Sequence, residues 1–188
     1  MKLAALEGQF ETERGAPLRL GGIPDEAARQ TRWAIEIPRG LSMLAFHDPD
    51  AEVRGLNEFP QAEWPPIGIV HGSFQVMVAL GTAMAGVSLW VVWTAWRHRT
   101  LVGRRHLLAA IAAVAPFGFV ATEAGWVVTE VGRQPWVVQG VIRTADAVTP
   151  MPGLWIPFSV FVVLYVGLAT VVVLLIAALV RETVVTTS

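Results

Sequence analysis

The sequence predicts an all-α membrane protein: a polar N-terminal third followed by three transmembrane helices that belong to a larger helix bundle. Three observations point there. Of 188 residues, 54% are hydrophobic and 15% charged, too apolar for an ordinary soluble domain. Charge gathers at the front, with 7 Lys and Arg and 11 Asp and Glu in residues 1–66, against 7 and 4 in the rest. The body then contains three apolar stretches, each longer than the ~20 residues needed to cross a bilayer. A net charge of −1 offers no basic footprint for nucleic acid. The absence of cysteine excludes disulfides, thiolate metal sites and thiol catalysis. Several of the eight Trp lie near the ends of apolar runs, where indole rings favour the membrane interface.

Residues 1–66 read as an amphipathic segment without a convincing core, expected to pack as a surface loop on something else. Turns are marked by Gly15-Ala16-Pro17, Gly21-Gly22 and the run from Pro60 to Pro66. A short helix is expected around Asp25–Ile35, between Pro24 and Pro38. Met1 to Gln9 lacks the basic and apolar regions of a signal peptide.

The first span is expected at 67–96, with no Asp, Glu, Lys or Arg and with Pro65-Pro66 just before it, where missing N–H groups cost little. Gly68-x-x-x-Gly72, Ala79, Gly81, Ala83, Ala85 and Gly86 favour close contact with other helices. The second span is expected at 107–131 with a bend at Pro116, because the ring removes one backbone hydrogen bond. The third, at 154–180, is rich in Val and Leu and carries no charge. Four Arg and no acid between Arg97 and His106 place that connection in the cytoplasm. Residues 1–66 and the 132–153 loop are then outside, and the 182–188 tail is cytoplasmic.

Glu123 and Glu130, seven apart on the second span, share one helical face with Trp126. An ionised side chain at the bilayer centre costs roughly 2.5–3.5 kcal/mol or more, so such groups face a protein interior, pair with a cation or bind a metal. Snorkelling to water is the alternative, most natural for Glu130, which Gly132-Arg133 follows closely. Met77 lies one turn from both Ser73 and Gly81, a slot that suits the face of a planar macrocycle or an ordinary core-filling thioether. His71 and Gln75, at i and i+4, suit hydrogen bonding to a neighbouring helix, with a metal or haem as the other reading. His98 and His106 belong to the solvated Arg-rich loop. Gly132-Arg133-Gln134-Pro135-Trp136 is the densest polar cluster beside a span: Arg133 there can pair with Glu130 or grip an acidic group, or the run is a plain interfacial turn.

The stretch from Glu123-Ala124-Gly125-Trp126 through Thr129-Glu130-Val131-Gly132-Arg133-Gln134-Pro135-Trp136 resembles the signature of subunit I of cytochrome bd-type quinol oxidases. Lys2-Leu3-Ala4-Ala5-Leu6-Glu7 and Ala34-Ile35-Glu36-Ile37-Pro38 are similar to parts of that family's quinol loop. Val70-His71-Gly72-Ser73-Phe74-Gln75-Val76-Met77-Val78 is similar to its haem-bearing helix. The resemblance covers nearly the whole chain, and the motif around Gly132–Trp136 is highly specific.

What it implies is an enzyme that oxidises quinol on the outer side of a bacterial or archaeal cytoplasmic membrane and reduces O₂ to water. Its cofactors are a low-spin haem b and a high-spin pair, haem b and haem d. By motif position Met77 becomes an axial ligand of the low-spin haem b, and Glu130 a ligand of a high-spin haem. Trp126 lies between the haem sites, Glu123 lines the site or its proton route, and Arg133 steadies propionates. Lys2 and Glu7 serve quinol binding or deprotonation. A thioether ligand raises haem potential, which suits an acceptor of quinol electrons.

Family members carry further spans ahead of these three, with the histidines that complete the haem ligation. The chain is therefore expected to be the C-terminal portion of a subunit, truncated or split, that works with the N-terminal half and with subunit II. It lacks the long-loop insertion between Ala45 and Pro65, and it has Gln75 where some members have an Arg near the haem. Two competing functions follow from the same residues: a non-catalytic remnant or assembly partner, and a proton-conducting module built on Glu123 and Glu130.

Overall fold

The computed structural model describes residues 1–99 and 103–186, with side chains to Arg181. The chain is mostly helical, and its extramembrane parts also contain three two-stranded ladders that an all-α reading does not include.

Helix α1 (Lys2–Glu7) ends at Gly8, whose φ of 61° lets its N–H turn back to the Ala4 carbonyl. A side chain at Gly8 would also collide with Thr31 Oγ1, which donates to the Gly8 carbonyl at 2.8 Å. Strand β1 (Glu13–Arg14) pairs with β4 (Glu52–Val53). Between them β2 (Leu18–Asp25) and β3 (Gln30–Ile37) form an antiparallel hairpin, followed by the short helix α2 (Gly40–Phe46).

The hairpin replaces the helix expected at Asp25–Ile35. Asp25 Oδ1 accepts the Ala28 N–H at 2.9 Å, the bond that would cap a helix, but here it closes the turn between the two strands. Arg29 then takes a φ of 51°. Beyond it Thr31, Ile35 and Ile37 are β-branched and sit opposite Pro24, Leu20 and Leu18. The Glu26-Ala27-Ala28 run carries helix propensity, but cross-strand pairing on both sides outweighs three residues of it.

The N-terminal segment does bury a small core, and it packs on the start of the first span. Ala4, Ala5, Phe10, Leu56, Ile67 and Val70 cluster there, with Trp64 edge-on to Phe10 at 6.1 Å. A second cluster joins Ala16, Leu41 and Val53, tied by Ser42 Oγ, which accepts from Ala16 N and donates to the Ala51 carbonyl.

Three helical spans are long and apolar enough to cross a membrane. Helix α3 (Ile67–His98) is continuous and two residues longer than expected. The second span is broken at Ala115-Pro116 into α4 (Arg105–Val114) and α5 (Phe117–Val131), the interruption that Pro116 predicts. Residues 100–102 of the Arg-rich connection lie outside the described residues, and His98 and His106 are exposed. A short hairpin, β5 (Trp136–Val138) and β6 (Ile142–Arg143), follows α5. The last element, α6 (Trp155–Thr186), forms part of a separate unit and runs helical through most of the expected tail.

Helices α3 and α5 lie side by side and antiparallel. Met77 Sδ lies 3.2 Å from where a Cβ on Gly125 would be, and Met84 Cε lies 3.7 Å from the equivalent point on Gly118. Two methionines seven apart thus fill two glycine gaps seven apart. Among the described residues, no atom of another element lies within 4 Å of where a Cβ on Gly68, Gly72, Gly81 or Gly86 would be.

Candidate functional site

Three pieces of backbone converge on one side of α3. The loop segment presents α1, β2 and α2, and a cavity of about 300 Å³ lies between them and Phe74, Gln75 and Val78 of α3. Its walls are apolar (Leu3, Leu18, Leu20, Leu41 and Leu44), with Glu7 and Arg19 as the ionisable members. That is the composition of a small-molecule site: an apolar body with a few placed polar groups.

Glu7 is 3% exposed, and its Oε2 has no hydrogen-bond partner among the described residues. Burial pushes its carboxyl above the usual range, while the Arg19 backbone N–H and the Arg19 charge pull it back down. Arg19 also forms the wall between this cavity and a polar groove lined by Gln9, Glu13 and Glu36. Its guanidinium bonds Gln9 Oε1, pairs with Glu36 at 3.0 Å and reaches Glu13 at 3.6 Å.

Lys2 does not join Glu7. Five residues on a helix separate the two by about 140° around α1. Lys2 is exposed, and its Cε lies 3.5 Å from where a Cβ on Gly132 would be, at the end of α5.

His71 is 0% exposed, and both ring nitrogens face carbonyl oxygens: Nδ1 at 2.7 Å from Leu6 O and Nε2 at 3.1 Å from Gly21 O. One partner is thus the last turn of the neighbouring helix α1, as its spacing suggested, and the other is strand β2. Gln75, one turn on, donates to the Arg19 carbonyl and accepts from the Gly21 N–H, each at 3.0 Å. Gly21 presents both its N–H and its carbonyl to α3 from a backbone with φ of 71°, a conformation glycine adopts freely.

On α5 the glycine face and the acidic face are nearly opposite. Gly125 meets Met77, whereas Glu123, Trp126 and Glu130 are exposed, Trp126 at 71%. No ion pair or hydrogen bond among the described residues reaches either carboxylate side chain, and Arg133 is exposed and does not pair with Glu130. The Gly132–Trp136 turn is held by Arg143, whose guanidinium lies 4.9 Å from the Trp136 ring centroid. Trp136 Nε1 and Thr144 Oγ1 are buried there without a partner among the described residues.

The donor chemistry fits iron porphyrins. The thioether on α3 is of a type that holds haem iron, the carboxylate on α5 offers an anionic donor, and no three His, Asp or Glu are grouped for a bare metal ion among the described residues. Sequence reasoning singled out Met77, Glu130 and Glu7, but it did not find Arg19, Phe74 or Gly125. Nothing local marks these three, since each gains its place from a partner more than ten residues away.

Residues 1–184 match the family model described as cytochrome bd terminal oxidase subunit I. The chain is 39% identical over 178 residues to a putative cytochrome bd menaquinol oxidase subunit I of Bacillus subtilis (strain 168), covering 93% of the chain and 40% of the relative. It is 33% identical over 162 residues to a cytochrome bd ubiquinol oxidase subunit 1 of the same organism, covering 80% and 34%. Among solved structures, the bd oxidase from Geobacillus thermodenitrificans superposes with a TM-score of 0.75 at 36% identity, covering 90% of the chain and 39% of that one. The chain thus spans about 40% of the length of the first curated relative it matches. It belongs to the cytochrome bd terminal oxidase subunit I family.

Proposed function

We propose that the chain is the C-terminal portion of the haem-bearing subunit of a bd-type quinol:O₂ oxidoreductase, an oxidoreductase of a respiratory chain in a bacterial or archaeal cytoplasmic membrane. It works with the N-terminal half of subunit I and with subunit II. The observation that carries the reading is Glu7: a buried carboxylate with a free oxygen, on the wall of an apolar cavity whose floor is the helix that bears Met77.

In this reading residues 1–66 are the quinol loop on the outer side, and the ring of the quinol occupies the apolar cavity. Glu7 accepts a hydroxyl proton as the ring is oxidised. Burial supports that role by making the ionised carboxylate a stronger base than an exposed one. The quinol loses two electrons and two protons, and two quinols supply the four electrons that convert O₂ and four protons to two waters. Arg19, shared between the cavity and the polar groove, orients the carboxylate and keeps the outlet toward Glu13 and Glu36 charged.

Met77 would hold the low-spin haem b and Glu130 a member of the high-spin pair of haem b and haem d. When bound, these groups carry the electrons from quinol to O₂. Gly125 gives the Met77 thioether its room, Trp126 separates the haem sites, Glu123 lines the oxygen site or its proton route, and Arg133 steadies propionates. Lys2 assists the quinol site from the α5 corner, where the Gly132–Trp136 turn lies beside it.

The test is co-expression of the chain with the N-terminal part of a subunit I and with subunit II. A reduced-minus-oxidised b-haem band and quinol-driven O₂ uptake are the expected result. Both parts folded without haem would overturn the proposal.

A further inference from the structure

We propose that His71 is a positioning residue that aims the Glu7 carboxylate into the cavity; this rests on the quinol-oxidase reading above. His71 does not touch the cavity. Its Nδ1 hydrogen-bonds the Leu6 carbonyl at 2.7 Å, and that carbonyl belongs to the peptide unit whose nitrogen is the backbone N of Glu7. Holding this peptide plane sets the direction in which the Glu7 side chain leaves the backbone.

The Leu6 carbonyl needs such a partner. It lies at the C-terminal end of a six-residue helix, where the last carbonyls have no N–H four residues on. The N–H groups of Gly8 and Gln9 both turn to Ala4 O. With His71 fully buried, no water reaches the Leu6 carbonyl from the His71 side.

The second ring nitrogen makes a separate contact, 3.1 Å from the carbonyl of Gly21 on β2, the strand that supplies Leu18 and Leu20 to the opposite wall. Carbonyl oxygens only accept, so a neutral ring bonds one of the two and an imidazolium bonds both. The shorter contact gives the proton of a neutral ring to Nδ1, which directs the carboxylate, while Nε2 bonds the wall only in an imidazolium. The apolar cluster of Ala4, Ala5, Phe10, Leu56, Ile67 and Val70 closes beside them without His71 as a member, so the loop has other means of staying folded.

This separation makes the proposal testable in the assembled, haem-loaded oxidase. Asparagine places its amide N–H near the Nδ1 position and glutamine near the Nε2 position. His71→Phe is expected to lower kcat for a water-soluble quinol by about ten- to a hundredfold, since misplacing a reacting group by an ångström costs that much. The b-haem band and its reduction by dithionite stay unchanged. His71→Asn restores most of kcat, while His71→Gln leaves kcat low. In a Glu7→Gln background His71→Phe adds no further loss. A merely structural histidine predicts Asn and Gln variants that fall together, and that result, or an unchanged kcat in His71→Phe, would overturn the proposal. If His71→Phe does not assemble, the contrast between Asn and Gln still decides. Absence of quinol turnover before any substitution would instead overturn the underlying quinol-oxidase reading.

Discussion

Residues 1–66 satisfy their buried polar groups from within the chain, whereas the acidic face of α5 satisfies none of its own. In residues 1–66, Ser42 and Thr31, with His71 and Gln75 of α3, bond backbone atoms of the loop. On α5, Glu123, Trp126 and Glu130 are exposed on a helix apolar enough to cross a membrane. Lipid supplies no partner for a carboxylate, so two exposed acids on such a helix are costly as the chain stands. Glu7 stands between the two cases: it is enclosed by the loop and yet keeps one oxygen free. Under the proposed function, regions that complete themselves fold the chain, and regions left incomplete are where cofactor, substrate and partner helices would belong.

Four substitutions sharpen or break this contrast. The largest effect is expected for Met77→Leu in the assembled oxidase: loss of the low-spin b-haem band and of quinol oxidation, with the chain still inserted. A full-strength band in this variant removes Met77 from the ligand set.

Glu7→Gln comes next, with quinol oxidation lowered about 10²- to 10⁴-fold and haem spectra intact. Burial raises the Glu7 carboxyl above its ordinary range. The acid limb of the wild-type rate profile should therefore lie above that of an exposed glutamate, and it should vanish in the variant. The sign for stability is the reverse of an ion-paired acid. A raised folded-state value means the neutral carboxyl stabilises the fold at low pH, and this contribution is lost as pH rises through the raised value. Thermal melting across pH should show that decline in wild type and a flatter profile in Glu7→Gln.

Gly125→Val is expected to push the Met77 thioether out of its gap, because even the first added carbon would meet Sδ at 3.2 Å. Overpacking of this kind costs about 1–3 kcal/mol, and the b-haem band should shift or lose intensity without disappearing. A variant with an unaltered spectrum and midpoint potential would separate the Met77 environment from α5. The smallest effect belongs to Arg143→Ser, which removes the cation over Trp136 and about 0.5–1 kcal/mol of local stability. Hydrogen exchange confined to residues 133–144 is the measurement.

The three spans were legible because a bilayer imposes length and apolarity on any helix that crosses it, and Pro116 marked the break in the second. Met77 and Glu130 stood out on apolar helices as candidates, whereas Glu7 entered only through the family resemblance. The hairpin at 18–37 was not, because Glu26-Ala27-Ala28 favours helix locally and the Asp25 turn only gains from closing once Leu18–Asp25 has a strand to pair with.

By itself the sequence determined the membrane body, the polar N-terminal third and which side chains are candidates to bind iron or take a proton. Each follows from solvent preference or from side-chain chemistry, which a residue carries wherever it is placed. Only the tertiary structure decided that Lys2 lies beside Gly132, that His71 serves the backbone of α1 and β2, and that Met77 meets Gly125. Those are relations between residues 48 to 130 positions apart, set by which helix faces and carbonyls come together, and hydrophobic periodicity carries no record of the partner.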